Sequence, residues 1–147
     1  MLKTRWRAVA IAATIFTVGF LTGSVLQPGA VVGAQAGRRV FEIRTYTANE
    51  GKLEALHARF RNHTTRIFEK HGMKNVGYWS PQDAPLSQNT LIYILSYPSR
   101  EAAKQSWDAF RKDPEWQKAR SESEAQGAIV AKVESVFMDP TDYSPMK

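Results

Sequence analysis

The sequence predicts a single α+β domain with an antiparallel sheet, and three observations support this prediction. The chain has 147 residues, a length that suits one domain. After residue 39, segments whose apolar residues recur at every second position alternate with segments in which they recur at every third or fourth position. These segments follow the order strand, helix, strand, and the same order is then repeated.

The first half of the domain comprises a strand, a helix and a second strand. Residues 40–47 alternate with period two and are rich in β-branched and aromatic side chains, which predicts a strand. Asn49 is the expected N-cap of a helix over residues 50–71, which ends at Gly72. Residues 76–79 are expected to form the second strand. The apolar face of the helix consists of Leu53, Leu56, Phe60, Thr64 and Ile67.

The second half repeats this plan with clearer signals. Residues 90–97 form the most strongly patterned strand of the chain, and Ser99 is the expected N-cap of the helix that follows. Asp113, followed by a proline at the first helical position, restarts a helix that ends at Gly127. Residues 128–138 are expected to form the last strand. The apolar stripe of the second helix consists of Ala103, Trp107 and Phe110.

The resulting β-α-β-β-α-β order predicts the ferredoxin-like arrangement, in which one antiparallel sheet carries both helices on one face. In this arrangement the first and last strands are neighbours. We expect the domain to span residues 37–147, with its core within residues 40–138.

Residues 1–36 have the pattern of a secretory signal peptide. Three basic residues precede a charge-free apolar run over residues 8–26, and an Ala-Gln-Ala site follows at 34–36. Cleavage there would leave residues 37–147 as an exported domain, periplasmic or extracellular. Because the run of 19 residues approaches the length of a membrane-spanning helix, an uncleaved N-terminal membrane anchor is the alternative. Contact with a membrane is expected only in that case.

The composition excludes several functional classes. The net charge is +6, but the three basic residues of the signal peptide leave residues 37–147 with +3. No basic stripe interleaved with aromatic residues is present, so we expect no nucleic-acid partner. The chain has no cysteine, which excludes disulfides, cysteine-ligated metals and a thiol nucleophile. The sequence also lacks a glycine-rich phosphate loop and the spacing of a zinc site.

The alternation along the strands predicts which side chains face the helices. On the first strand we expect Phe41, Ile43 and Thr45 to meet the helices, and Glu42, Arg44 and Tyr46 to point away from them. The outward residues of the other strands are then expected to be Leu91, Tyr93, Leu95, Lys132, Glu134 and Val136.

Such an outer face is too apolar to remain in water, which predicts a homodimer that closes over it. The charged residues can neutralise one another across strands, as buried charges require. A half-exposed face with surface ion pairs is the alternative. The predicted interface residues are Glu42, Arg44, Tyr46, Lys132 and Glu134.

Several of these segments together resemble the NIPSNAP family, within the dimeric α+β barrel group. The resemblance covers residues 40–138 and implies a ferredoxin-like fold and a dimer whose two sheets form a barrel. It implies no settled reaction, although the wider group includes cofactor-free quinone-forming monooxygenases and haem-degrading enzymes. The segments that carry it are residues 41–46, 71–73, 76–79, 99–101 and 113–116, together with Trp107.

Four residues are candidates for a ligand site. His63 lies at the edge of the apolar stripe of the first helix, where an imidazole can serve as a base or a haem ligand. Thr64 is nearly central in that stripe and is expected either to bond back to the helix or to line a pocket. Trp79 and Trp107 are expected to line an aromatic slot, unless they simply belong to the core. No metal site is expected, since His57 and His63 are poorly spaced to share an ion.

These observations lead to three functional hypotheses. The leading one is an exported dimeric domain that binds a small apolar or aromatic ligand between sheet and helices, with an unknown reaction. The second is a monooxygenase of the dimeric α+β barrel group that acts on an aromatic compound or on haem with little cofactor help. The third is a protein-interaction module without catalysis. No cofactor is evident from motifs, and haem is the one candidate.

Overall fold

A computed structural model describes residues 39–147 of the chain. The predicted signal peptide or anchor, residues 1–36, lies outside this part. The described residues form four strands and two helical segments, and the second segment contains two helices. In chain order the elements are β1 (Val40–Ala48), α1 (Leu53–Arg59), a π-helical turn (Phe60–Thr64), α2 (Thr65–Lys70), β2 (Lys74–Trp79), a 3₁₀ turn (Leu86–Gln88), β3 (Thr90–Tyr97), α3 (Arg100–Lys112), α4 (Pro114–Ser123) and β4 (Val130–Met138).

The four strands form one antiparallel sheet in the order β2-β3-β1-β4. The first and last strands are neighbours, and the predicted ferredoxin-like α+β fold is confirmed. β1 and β4 pair from Phe41 opposite Met138 to Thr47 opposite Lys132, after which the register shifts. Within residues 39–147 no helix is long and apolar enough to cross a membrane.

The first helix is continuous but contains one π-helical turn at its centre. The Thr64 hydroxyl donates to the Arg59 carbonyl at 3.2 Å, and the Thr65 hydroxyl donates to the Phe60 carbonyl at 3.3 Å. Thr64 therefore bonds back to its own helix, which was one of its two expected roles. Gly72 follows the helix with a φ of +76°, a conformation that favours glycine.

The predicted caps of the second half are confirmed, whereas the cap of the first helix is not. The Ser99 hydroxyl accepts from the Ala102 amide at 3.1 Å, and Asp113 accepts from the Glu115 amide at 2.7 Å. Asn49 was predicted to cap the first helix, but α1 begins at Leu53. The Asn49 side chain instead donates to the Ala128 carbonyl at 2.7 Å, so it ties β1 to the approach to β4.

An aromatic core fills the space between the sheet and the helices. The Phe68 ring lies 5.4 Å from Trp107, 4.8 Å from Phe110 and 6.0 Å from Tyr93. Edge-to-face and tilted contacts of this kind stabilise a core beyond the area that they bury. Phe60 and Trp107, both expected to face the sheet, lie in this core at 5% and 9% exposure.

The predicted face of β1 and β3 is wrong. Residues opposite one another in register share a face, and Glu42, Arg44 and Tyr46 pair with Leu95, Tyr93 and Leu91. All of these lie on the helix side, because Glu42 accepts a hydrogen bond from Trp107 of α3. Glu42, Arg44 and Tyr46, expected at a dimer interface, therefore do not line the open face of the sheet. The charged pair misled the prediction because polar groups were assumed to point away from the core.

On β1 and β3, the open face is formed by the residues that the sequence placed inside. Ile43 of β1 lies between Ile94 of β3 and Val136 of β4, and Val136 is 58% exposed. Lys132 and Glu134, expected on this face, do lie there and bond to each other at 2.9 Å. One end of the face is covered by residues 139–146, which with Phe41 and Ile94 surround a cavity of about 230 Å³.

Candidate functional site

A large cleft lies on the helix side of the sheet, between α3 and the strands β1 and β4. Its volume is about 580 Å³, which is within the range of small-molecule sites. β4 is left uncovered at this point, since Val133 is 43% exposed and Ser135 is also exposed. The lining residues are Glu42, Arg44, Arg100, Glu101, Lys104, Trp107, Arg111, Ser135 and Phe137.

Helical and strand periodicity bring these side chains together. Along α3, Arg100, Lys104, Trp107 and Arg111 follow one another at spacings of four, three and four residues, which places them on one face. On the sheet, Glu42 and Arg44 alternate toward the helices, and Phe137 and Ser135 lie opposite them on β4. One helix face and two neighbouring strands thus form the walls and the floor.

Glu42 is the centre of the cleft floor. Its Oε1 accepts from Arg44 Nη1 and from Ser135 Oγ, both at 2.6 Å. Its Oε2 accepts from the Tyr97 hydroxyl at 2.7 Å and from Trp107 Nε1 at 2.8 Å. Two donors on each oxygen occupy the acceptor positions of a carboxylate, and the residue is only 1% exposed.

Hydrogen bonds determine the ionisation states of Glu42 and Tyr97 at the floor of the cleft. Burial raises the pKa of Glu42, but the hydrogen bonds from Ser135, Tyr97 and Trp107 and the charge of Arg44 outweigh it, so the pKa lies below its ordinary value. Burial and the bond to Glu42 raise the pKa of Tyr97 above its usual range. At neutral pH the carboxyl is therefore ionised and the phenol protonated. The carboxylate has no acceptor position left for a substrate proton, because each of its oxygens already accepts two hydrogen bonds.

Arg44 is held rigidly beside this carboxylate. Its guanidinium carbon lies 4.2 Å from the centre of the Trp107 ring and 5.6 Å from that of Tyr46. Nη1 is used by Glu42, whereas Nε is buried without a hydrogen-bond partner among the described residues. Stacking fixes the plane of the guanidinium, so its remaining donors have a defined direction.

The rim of the cleft is mainly cationic. Arg100 lies over the Phe137 ring, 3.3 Å from its centre. Arg111 pairs with Asp108 at 2.5 Å, and Glu101 accepts from Gln105 at 3.4 Å. Among the ion pairs of residues 39–147, none involves Arg100 or Lys104.

The four residues predicted to bind a ligand do not converge. Trp107 lines the cleft, and Thr64 is fully buried in the core without reaching it. Trp79 lies on the open face of the edge strand β2, half exposed, with its ring against Gly77. His63 lines a separate groove of about 320 Å³ between the first helix and α4. Of the four, Trp107 alone contributes to the cleft.

The three histidines lie away from the cleft. His63 shares its groove with Arg59, Glu122 and three alanines. His57 lies within 3.2 Å of Ser80, and His71 bonds Asp113 at 2.6 Å at the end of the first helix. Across the described part of the chain, no group of three histidine or acidic side chains could hold a metal ion.

Sequence reasoning missed most of the cleft residues, although a signal for them was present. The spacing of Arg100, Lys104 and Arg111 around Trp107 on α3 marks a basic face next to the sheet. Glu42 and Arg44 were identified as a pair but assigned to the wrong face. Ser135 and Tyr97 carried no signal of their own, because a hydroxyl on a strand is common.

The molecule is thus a ferredoxin-like α+β protein with an open cleft between its second helical segment and its sheet. The NIPSNAP family model matches residues 41–145, and the chain belongs to the NIPSNAP family. No curated protein matches the chain at a significant level.

Solved structures agree on the fold. A NIPSNAP family protein of unknown function from Agrobacterium tumefaciens C58 is 21% identical, with 76% of this chain and 96% of that one covered and a TM-score of 0.65. A NIPSNAP domain protein from Burkholderia xenovorans is 20% identical, with 72% and 98% covered and a TM-score of 0.61. A Streptomyces coelicolor monooxygenase, solved with nanaomycin D, is 13% identical, with 75% and 94% covered and a TM-score of 0.53. At these identities the likeness concerns the fold alone.

Proposed function

We propose that this NIPSNAP protein binds a small organic ligand with an apolar or aromatic part in the cleft between α3 and the sheet. The observation that supports it most directly is the saturated charged network of Glu42, Arg44, Tyr97, Trp107 and Ser135 at the floor of an open cleft. A buried ion pair often stabilises a fold no more than well-packed apolar residues of the same volume would. A network placed there is better explained by what the cleft binds than by stability.

Binding is better supported than catalysis by the same network. The Glu42 carboxylate has no acceptor position left, and Tyr97 stays protonated. The cleft lining contains no histidine. A monooxygenase activity would require the ligand itself to supply the reactive electrons, and the fold shared with the Streptomyces enzyme is not sufficient to assign it.

Native mass spectrometry of protein purified from its own host tests this proposal. We expect a retained small molecule on the wild type and on Lys118→Trp, which places an indole on the exposed surface of α4. We expect its loss in Lys104→Trp, because the same indole would fill the cleft. Equal retention by Lys104→Trp, or no retained molecule on any form, would count against the cleft as a binding site.

We also propose that the chain forms a homodimer through the open face of its sheet. The row Ile94, Ile43 and Val136 is apolar across three strands, and Lys132 and Glu134 neutralise each other beside it. A second copy presents the same pattern, which two-fold symmetry matches to itself. Trp79, exposed on this face, is the aromatic anchor that such interfaces favour.

Size-exclusion chromatography with light scattering tests the dimer. Val136→Lys would place a charge in the interface and should yield monomers at micromolar concentration. Val133→Lys is the matched control, because Val133 lies on the same strand but on the helix side. A wild-type monomer, or dissociation by both substitutions alike, would contradict the proposed interface.

The export of residues 37–147 is likewise proposed on the sequence pattern of residues 1–36 alone. N-terminal sequencing of the exported protein should give Gly37 as the first residue. A chain that still begins at Met1 and fractionates with membranes would support the anchor.

A further inference from the structure

We propose that the ligand of the α3 cleft carries an oxyanion, a carboxylate or a phosphate, which the cationic side chains of the cleft bind. This inference rests on the proposed function, since it describes the chemistry of the molecule bound at that same site. Three features of the cleft support it. The lining has a net positive charge, the acceptor positions of its buried carboxylate are all occupied, and aromatic rings hold its arginines in place.

The balance of charge favours an anion. The lining has four positive side chains, Arg44, Arg100, Lys104 and Arg111, against the two carboxylates of Glu42 and Glu101, a net charge of +2. Arg111 is offset by Asp108. Arg100 and Lys104, however, have no ion-pair partner among the described residues, so positive charge remains at the rim.

The saturation of Glu42 removes the main competitor for a bound anion. A carboxylate with free acceptor positions would repel an incoming oxyanion and attract a cation or a donor. Here each oxygen of Glu42 already accepts two hydrogen bonds, and its charge is matched at 2.6 Å by Arg44. A ligand donor therefore has no partner on Glu42, whereas a ligand acceptor can be met by Arg44, which has donors beyond Nη1.

The aromatic rings hold the arginines in position. Arg44 is stacked on Trp107 and Arg100 on Phe137, at 4.2 Å and 3.3 Å from the ring centres. The edge of the Arg100 guanidinium is left free, and two N–H groups on one edge match the two oxygens of a carboxylate or phosphate. Arg44, whose Nη1 is bonded to Glu42 and whose Nε is buried, adds its remaining Nη donors. Since little side-chain freedom is left to lose, the arrangement suits the binding of an anion.

A pair of probes that differ only in charge tests the inference. Binding of 2-naphthoate and of its neutral analogue 2-naphthamide would be followed by the NMR signal of the Trp107 indole N–H and by calorimetry. We expect the naphthoate to bind at least about tenfold more tightly, with an affinity that falls as salt is added. 2-Naphthyl phosphate, measured in parallel, distinguishes a carboxylate ligand from a phosphate ligand. Tighter binding of either anion than of the neutral naphthamide supports an oxyanion ligand.

Matched variants locate the effect in the cleft. Arg100→Gln and Lys104→Gln should each weaken the naphthoate several-fold and leave the naphthamide unchanged. Arg61→Gln and Lys118→Gln remove the same charges from exposed positions outside the cleft and should change neither probe. Equal affinity for the charged and neutral probes would contradict the proposal that the ligand carries an oxyanion, but would still support the cleft as a binding site. No binding of any probe at Trp107 would instead contradict the proposed function itself.

Discussion

Two arginines of this molecule, the half-buried Arg44 and the buried Arg59, are held in nearly the same way. Each donates through Nη1 to a glutamate, Arg44 to Glu42 at 2.6 Å and Arg59 to Glu124 at 2.9 Å. Each lies over a tryptophan, with Trp107 at 4.2 Å and Trp116 at 5.3 Å from the guanidinium carbon. In both, Nε is buried without a partner among the described residues. An arginine, a glutamate and an indole are therefore not by themselves a functional site.

The Arg44–Glu42 and Arg59–Glu124 ion pairs differ in their surroundings. Glu42 is 1% exposed and accepts four hydrogen bonds, whereas the side chain of Glu124 is 21% exposed and is shared between Arg59 and Arg120. Arg44 lines a cleft of about 580 Å³ with a cationic rim, while Arg59 lines a groove of about 320 Å³ that contains alanines and Glu122. The Arg59 pair joins the first helix to the end of α4, which is a structural role. The Arg44 pair supports an open site.

The largest expected effect distinguishes the two glutamates. Glu42→Gln leaves the half-buried Arg44 without its ion-pair partner. It also gives the Trp107, Tyr97 and Ser135 donors a poorer acceptor. We expect it to lower the free energy of unfolding by about 3–5 kcal/mol. Glu124→Gln, the matched control, should lower it by about 1–2 kcal/mol. Glu124 accepts two hydrogen bonds where Glu42 accepts four, and Arg59 keeps a second acceptor in the Ser123 hydroxyl. Urea denaturation at neutral pH measures both, and equal losses would mean that the two pairs are equivalent.

The dependence of stability on pH provides a second test of the role of Glu42. The pKa of Glu42 lies below its ordinary value of 4.5, so its contribution to stability is present above that pH. The contribution is lost as the pH falls through the lower pKa of the folded state. Stability should therefore fall less steeply with acid in Glu42→Gln than in the wild type. A residual slope should remain, because the pKa values of Asp113 and Glu124 are lowered as well. Denaturation midpoints measured between neutral pH and pH about 3 provide the check.

Local signals explain what the sequence could predict of the fold. β3 was predicted with its observed bounds, and the Ser99 and Asp113 caps were predicted from residues that make contacts within three positions. The failure at Asn49 has a tertiary cause, since its side chain bonds Ala128, 79 positions away. The π-helical turn was not predicted, because one wide turn leaves the spacing of apolar residues almost unchanged.

The faces of β1 and β3 could not be predicted from alternation alone. Alternation divides a strand into two sets of side chains but does not say which set is inside. Here the inner set contains the charged pair Glu42 and Arg44, and the outer set contains Phe41 and Ile43. The charges are tolerated inside because Tyr97, Trp107 and Ser135 satisfy them, and these partners lie 55, 65 and 93 positions away. The same long-range contacts form the candidate site, which is why only Trp107 of it was predicted.

A smaller effect is expected when the indole N–H alone is removed. Trp107→Phe keeps an aromatic ring against Phe68 and Phe110 but loses the 2.8 Å bond to Glu42. The loss of one hydrogen bond to a charged group should lower stability by about 1.5–3 kcal/mol. Trp116→Phe is the control in the other pair. Trp116 lies against Arg59, but its indole N–H donates to no side chain of the described residues. Thermal melts of the two variants should differ, and a Trp116 variant that loses as much would contradict the special role of the cleft indole.

The smallest effect is expected at His63, the residue that the sequence favoured most for chemistry. It lies in the groove of Arg59, partly exposed, and its side chain makes no hydrogen bond or ion pair with the other described residues. His63→Ala should change the free energy of unfolding by less than about 0.5 kcal/mol, as substitutions outside the core do. It should also leave the binding of 2-naphthoate unchanged, since the groove and the α3 cleft share no lining residue. Calorimetry and urea denaturation of the variant provide the check. If His63→Ala weakened the binding of 2-naphthoate at unchanged stability, the ligand site would lie in the Arg59 groove. Arg59 would then be the arginine at a binding site, and Arg44 the one with a structural role.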